Sequence, residues 1–563
     1  MKPFISKLIC LLAAASVPAG AVAAPLKAPP QPRLVVVISV DQFSGNLFEQ
    51  YRSRFTGGLK TLADQGVVFP NGYQSHAATE TCPGHSTLLT GRHPSATGVI
   101  ANNWHDRTTG KDMYCVFDPA YPVPGREGEG RGPANLKVST LGEWMKQANP
   151  AARAFGISGK DRAAIMMTGH NPDGVFWWDD GNGFTTSVPA GTTAEARLAP
   201  VAGFNQSLFS HWQKVPPRWQ LRDKRCAALG GPHSYGAITI DHKVPPAAFA
   251  PKKDIRTDPA ALKALRASPV MDRITLDAAT SLIDRFRLGR GSAPDLLAVS
   301  LSATDYIGHS YGNQGPEMCD QMAHLDEMLG AFLKRLEGLK LPVLVVLTAD
   351  HGGLDAPERV AERAIPAERV AGGDLVKALN ASVRAKLGLA ADPLGGDIDQ
   401  LYLIPGTEDA ASQRRIIDAA LAFLKARPEV AAVYNADEIA ASPPAPPGTP
   451  PDELTLLQRL SESFEPARSG DIAVVLQPYA SAYAPKKPGS AIAGHGSPRN
   501  YDRRVPILFW WPGAAGFEQS LPVETVDIAP TLAAILRVPA PQVDGRCLDL
   551  DRTPANSCAP AGN

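Results

Sequence analysis

The sequence predicts an α/β fold: a mainly parallel sheet with helices on its faces and long segments inserted between its strands. Three apolar runs carry that expectation: Arg33 to Val40 (RLVVVISV), Asp295 to Leu301 (DLLAVSL) and Pro342 to Thr348 (PVLVVLT). Each is nearly continuous rather than alternating, as strands covered on both faces should be. Between the last two lies an amphipathic helix, with Met318, Met322, Leu325, Leu329, Phe332 and Leu336 at steps of four and three. Strand, helix and strand in that order predict a βαβ crossover. Polar residues follow each of the three runs: Asp41, then Asp305 and His309, then Asp350 and His351. In such sheets ligand sites gather beyond the carboxyl ends of the strands.

From the amino terminus, Lys2 and Lys7, an apolar run from Leu8 through Val17, and the small residues Ala21-Val22-Ala23 read as a secretion signal over residues 1–23, cleaved after Ala23. The expected product is a periplasmic or secreted chain of residues 24–563. No later apolar run is long enough for a bilayer, so no stable membrane insertion is expected. The charge balance is 56 basic against 56 acidic residues, which advertises no nucleic-acid partner. A monomer is expected. Cys10 leaves with the leader, and the other six cysteines allow disulfides whose pairing spacing alone leaves open. The closeness of Cys547 and Cys558 makes them the expected pair.

Ala78 to Gly91 reads as a loop turning into a short helix, with Pro83 set for the first turn and Gly91 suited to ending it. A hydroxyl at such a start meets free backbone N–H groups, so Thr81 is placed to approach an anion, although a lone Thr-x-Pro is ordinarily an N-cap. Arg153 to Ile157 is a short strand leading into Ser158-Gly159-Lys160-Asp161-Arg162. Gly174 to Gly181 (GVFWWDDG) reads as a hairpin with an Asp-Gly turn, outside the sheet. Leu401 to Ile404, Arg414 to Lys425 and Val430 to Tyr434 resemble a small β-α-β insertion, and Ser442 to Pro451 a stiff exposed loop. Asp471 to Gln477 and Val505 to Trp511 are expected in the same central sheet, flanking Gly494-His495-Gly496. The last helix begins near Asp527. Insertions are expected at about 165–290 and 360–470, folding as a lid over the site.

Six scattered residues form a candidate metal set: Asp41, Asp305, His309, Asp350, His351 and His495. Nitrogen and oxygen ligands without thiolate suit zinc or a similar divalent ion, and six are the complement for two such ions with open positions. Each motif alone is ordinary. Their joint placement at strand ends, together with Thr81 at a helix start, is what points to a site.

Together, Asp41, Thr81-Cys82-Pro83-Gly84-His85, Asp305-x-x-x-His309, Asp350-His351-Gly352 and Gly494-His495-Gly496 resemble the alkaline phosphatase superfamily of two-metal hydrolases. Asn102 stands at the spacing of that family's phosphate-binding Asn. Lys160-Asp161-Arg162 resembles the Lys-x-Arg of its phosphate-insensitive, broad-specificity (PafA-type) members. The resemblance implies a three-layer α/β/α sandwich and two Zn2+ ions. Asp305, His309 and His495 would hold one; Asp41, Asp350, His351 and the Thr81 oxygen would hold the other. It further implies that Thr81 is the nucleophile, forming a phosphothreonine, while Asn102, Lys160 and Arg162 contact phosphate oxygens. The expected substrates are small-molecule phosphate monoesters, with weaker diester hydrolysis, and no organic cofactor. His85 and Trp104 are read as packing groups around the ligands. The rival expectation is a nucleotide pyrophosphatase or phosphodiesterase of the same superfamily. A sulfatase is disfavoured because Cys82-Pro83-Gly84-His85-Ser86 lacks the required Arg.

Overall fold

The computed structural model describes residues 29–249, 255–404, 409–446, 448–551 and 557–558. The expected signal peptide and its cleavage site lie outside the described residues. Ten strands form the central sheet, and eight of them define it: β1 (Leu34–Val40), β2 (Val67–Tyr73), β3 (Arg153–Ser158), β4 (Gly174–Asp179), β5 (Gly183–Thr185), β6 (Asp295–Leu301), β7 (Val343–Thr348) and β8 (Arg504–Trp510). Their order is β2-β8-β7-β1-β6-β3-β4-β5, with two short strands at Phe517–Glu518 and Val523–Glu524 pairing β2. From β7 to β4 every pairing is parallel; β8 runs antiparallel to both β7 and β2, β5 runs antiparallel to β4, and the two short strands run parallel to β2.

Six helices pack against the sheet or carry site residues: α1 (Thr81–Thr90), α2 (Asp161–Thr168), α3 (Pro269–Phe286), α4 (Ala303–Tyr311), α5 (Pro316–Glu337) and α6 (Ile528–Leu536). The sheet is buried between two helical layers, and β1 shows why its sequence is continuous. Leu34, Val36, Ile38 and Val40 enter the core shared with α3 and α5, whereas Val35 and Val37 enter the core shared with α1 and α6. Side chains alternate across a strand, so a strand buried on both faces needs apolar residues at every position. Each such burial is worth about 1.5–3 kcal/mol. β6 and β7 both pair with β1, so the expected crossover through α4 and α5 spans the central strand.

Two expectations are corrected. Gly174 to Gly181 does form a hairpin turn, but its first strand, β4, lies in the central sheet beside β3. The aromatic run explains this: Phe176 and Trp178 pack into one core while Val175 and Trp177 pack into another, so both faces are covered. The run from Asp471 forms the strand Ile472–Leu476, yet it belongs to a separate four-stranded sheet with Leu394–Asp397, Gln400–Leu403 and Val430–Asn435. There it slots between the two strands of the expected β-α-β unit, antiparallel to both. That sheet and the helices Gly372–Leu387 and Ala410–Lys425 have a hydrophobic core of their own.

Three disulfides are present among the described residues: Cys82–Cys115, Cys226–Cys319 and the expected Cys547–Cys558.

Candidate active site

The parallel strands deliver the polar residues to one edge. Asp41 follows β1, Lys160 follows β3, Asp305 and His309 lie on α4 just after β6, and Asp350 and His351 follow β7. Because β8 runs antiparallel, the loop entering it, with His495, arrives at that same edge. Asp305 and His309 share one face of α4, as a spacing of four requires, and Asp305 Oδ1 lies 3.3 Å from His309 Nε2.

The six candidate ligands converge. Atoms of Asp305, His351 and His495 lie within 4.8 Å of one another, as do those of Asp41, Asp350 and His351. His309 Nε2 lies 3.2 Å from His495 Nε2, and the His351 and His495 rings stack at 3.7 Å. His351 therefore sits between the two groups rather than in one alone. Each imidazole is oriented from behind through Nδ1: His309 to Ala493 O at 2.9 Å, His351 to Gly352 O at 2.8 Å and His495 to Thr79 O at 2.7 Å. Donation by Nδ1–H fixes the tautomer and leaves each Nε2 lone pair facing the cluster, as metal-binding histidines require.

The donor set fits divalent cations. Asp41 Oδ1, Asp305 Oδ1, Asp350 Oδ2 and His351 Nε2 are buried and satisfied by no hydrogen bond among the described residues. Unsatisfied acceptors gathered at this depth are expensive unless a cation lies among them. Burial and the neighbouring Asp350 push the Asp41 carboxyl well up. At Asp305 burial opposes the charge, but Lys160 and His309 overcome it and hold the carboxyl well below the usual range. Burial lowers His351 to about 3 and lowers His495 as well, which keeps both rings in the neutral, ligating form.

Thr81 is the first residue of α1, not its cap; Glu80 holds that position. The expected N-cap alternative therefore does not apply. All ten residues of α1 are buried, and Gly84 allows its close approach to the β7 loop: a Cβ there would lie 2.0 Å from Asp350 O. Gly91 ends the helix at φ +64°, a conformation natural to glycine. His85, one turn on, donates from Nδ1 to Thr81 O at 2.9 Å, holds the same nitrogen 3.1 Å from Asp350 Oδ2 at ion-pair distance, and places Nε2 3.1 Å from Ser300 Oγ. It braces both the turn that carries Thr81 and a candidate ligand.

Lys160 and Arg162 reach the Thr81 hydroxyl, with Nζ at 3.5 Å and Nη2 at 3.4 Å. The resemblance puts Lys160 on phosphate; here its ammonium lies 2.6 Å from both Asp41 and Asp305. It thus ties Thr81 to both halves of the carboxylate cluster, and charge balance is the reason it lies so deep. Asn102 accepts from the Cys82 N–H at 2.9 Å through Oδ1, which leaves its amide NH2 as the donating end. Beside Lys160 and Arg162 opens a cleft of about 330 Å³ whose lining includes Tyr306, Trp177, Arg126 and Arg266. Two polar groups carry no signal in the sequence: Tyr114, within 3.4 Å of Arg162, and Glu80, which accepts from the Asn102 N–H at 2.6 Å. Neither belongs to a motif, since each acts through a fold contact. A further histidine–carboxylate group, His93 with Glu462 and Glu524, uses both ring nitrogens at 3.7 and 4.0 Å, the geometry of an ion triad.

Comparison with known proteins agrees with this geometry. A family model for type I phosphodiesterase/nucleotide pyrophosphatase matches residues 35–499. The chain is 44% identical to alkaline phosphatase PhoK of a Sphingomonas species, over 94% of this chain and 93% of that protein. It is 42% identical to alkaline phosphatase PhoD of Zymomonas mobilis, over 93% of this chain and 89% of that one. The crystal structure of wild-type alkaline phosphatase PafA superposes with a TM-score of 0.77 at 27% identity, covering 93% of this chain and 99% of that one. With the sandwich, the clustered aspartates and histidines and the buried threonine all in place, the chain belongs to the type I phosphodiesterase/nucleotide pyrophosphatase family of the alkaline phosphatase superfamily.

Proposed function

We propose that the protein is an exported alkaline phosphatase that hydrolyses a broad range of phosphate monoesters through a phosphothreonine at Thr81. The observation that supports this most is the pair of cations on the Thr81 hydroxyl, Lys160 at 3.5 Å and Arg162 at 3.4 Å. A monoester presents a dianionic phosphoryl group, which suits an Arg fork and a Lys point charge. A diester carries one charge fewer and a second substituent where these side chains reach, so its hydrolysis is the weaker activity.

In this reading two zinc ions are held by Asp305, His309 and His495 and by Asp41, Asp350, His351 and the Thr81 oxygen. Bound there, they supply Lewis-acid activation of the hydroxyl and charge compensation for the leaving oxygen. The chain's own groups do the rest. Thr81 Oγ forms a bond to phosphorus as the bond to the leaving oxygen breaks, then a water displaces Thr81 and releases inorganic phosphate. Asn102, Lys160 and Arg162 hold the remaining oxygens and oppose the charge that builds on them. His85 keeps the Thr81 turn and Asp350 in register. The inserted segments act as a lid, and the chain works as a monomer.

The family description favours a second reading, a nucleotide diesterase. One panel separates the two: rates on mono- and diesters for the purified chain, before and after chelation and zinc return, with Thr81→Ala alongside. The proposal expects monoesters to be preferred, activity to follow zinc, and Thr81→Ala to lose nearly all turnover. Faster turnover of a nucleotide diester than of a simple monoester would transfer the assignment to the second reading.

A further inference from the structure

A β-hairpin that carries no sequence motif is tied to the helix bearing Thr81. Its strands, Asn103–Asp106 and Lys111–Tyr114, are flanked by Asn102 and Cys115. Both flanks are fixed to the first turn of α1: the Cys82 N–H donates to Asn102 Oδ1 at 2.9 Å, and Cys82 is disulfide-bonded to Cys115. The Cys115 N–H donates to Asn102 O at 3.0 Å and closes the unit. Tyr114 adjoins the bridge, so its ring is carried to a set place beside Arg162.

The polar contacts there have a direction. The Tyr114 hydroxyl donates to Asp161 Oδ1 at 2.6 Å, which leaves its oxygen lone pair to accept from Arg162 Nη1 at 3.4 Å. Arg131 completes the support: its Nε donates to Asp161 Oδ2 at 2.8 Å, and its guanidinium lies 5.1 Å from the Tyr114 ring centre. Arg162 spans the gap to Thr81, with Nη2 on Oγ1 at 3.4 Å. Its Nε is buried and has no hydrogen-bond partner among the described residues. A planar guanidinium recognises a phosphoryl group well only if its plane and reach are fixed beforehand.

We propose that Tyr114 is a positioning residue that fixes Arg162 for the dianionic phosphoryl group, and that the hairpin joined through Cys82–Cys115 holds it there. The inference rests on the reading in which Arg162 contacts phosphoryl oxygens. Tyr114→Phe keeps the ring and removes only the hydroxyl. The test measures kcat and KM on the zinc-returned full chain, for an aryl phosphate monoester and the matching bis-aryl diester. It compares Tyr114→Phe, Arg162→Ala and the double variant.

Tyr114→Phe is expected to lower monoester kcat/KM by about 10- to 100-fold, the range for one hydrogen bond to a charged group. Diester kcat/KM should change less than about threefold, because a monoanionic group depends less on the fork. The double variant should be no worse than Arg162→Ala, since the phenol acts through the guanidinium alone. Equal losses on both esters, or multiplicative losses in the double variant, would overturn the proposal. So would an unchanged Tyr114→Phe beside a strongly impaired Arg162→Ala, and in that case the parent reading stands. If Arg162→Ala itself impaired both esters alike, the parent reading and this inference would fall together.

Discussion

Replacing Lys160 with methionine tests how the buried charges are balanced. Asp41 and Asp350 are fully buried and Asp305 is 2% exposed, and the Lys160 ammonium, on a residue 3% exposed, sits 2.6 Å from Asp41 and from Asp305. Methionine preserves most of the volume and removes the charge. Breaking a buried pair by deleting one partner costs about 3–5 kcal/mol, because the other charge is left uncompensated. If divalent ions belong among these carboxylates, that cost applies to metal-free protein only. Urea unfolding of wild type and Lys160→Met, each after EDTA and again after zinc return, measures the difference. A gap of about 3–5 kcal/mol is expected in EDTA, and zinc should largely close it. A gap that zinc leaves unchanged, or no gap in EDTA, would show that Lys160 and divalent ions do not balance the same carboxylates.

Three further outcomes rest on individual contacts. Asp272 on α3 accepts from the Ala303 N–H at the start of α4 at 2.8 Å and from Gln321 at 2.8 Å, and burial pushes its carboxyl up to about 7. An unfolded Asp ionises near pH 4, so between there and about 7 only the unfolded chain has lost the proton, and folded stability falls as pH rises through that window. Asp272→Asn should abolish a few kcal/mol of that pH dependence, because an amide does not titrate, and its NH2 can donate to Gln321 Oε1, which has no partner among the described residues; the same change in stability between pH 5 and pH 8 in wild type and variant, read by urea unfolding, would contradict this. His85→Gln should weaken zinc retention about 10- to 100-fold in a chelator competition, through the lost support to Asp350 at 3.1 Å; unchanged retention would remove His85 from the account. Asp326 on α5 accepts from the backbone N–H groups of Thr56, Gly57, Leu59 and Lys60 at 2.6 to 3.3 Å. Asp326→Ala should destabilise by about 2–4 kcal/mol while the kcat of the folded fraction stays unchanged, as calorimetry with active-site titration would show.

The parts of this fold that are legible in the sequence are those where one physical constraint dominates. β1, β6 and β7 are buried on both faces, so their residues read as continuous apolar runs, and the chemistry sits at their ends. The spacing of Asp305 and His309 puts them on one face if the segment is helical, and the structure supplies that helix. Sheet membership is a different matter. The Ile472–Leu476 run has the same composition as a central strand, yet nothing local says that Gln400–Leu403 and Val430–Asn435 will flank it. The Trp177–Trp178 run reads as lying outside the sheet because its turn signal is strong, whereas burial on both faces puts it inside. The groups that brace the site are illegible for the same reason. Tyr114 reaches Arg162 across 48 residues of chain and His85 reaches Ser300 across 215, contacts that no spacing encodes. Lys160 is recognisable from its motif, but its hold on Asp41 and Asp305 arises from charge balance in three dimensions.

If Asp41, Asp305, His309, Asp350, His351 and His495 form two cation sites facing the Thr81 hydroxyl, the ions themselves should be visible there. Anomalous diffraction from zinc-loaded crystals, recorded on both sides of the zinc absorption edge, tests it most directly. Two peaks are expected, one among Asp305, His309 and His495 and one among Asp41, Asp350 and His351, the second also beside Thr81 Oγ. Peaks elsewhere, or none beside Thr81, would contradict it.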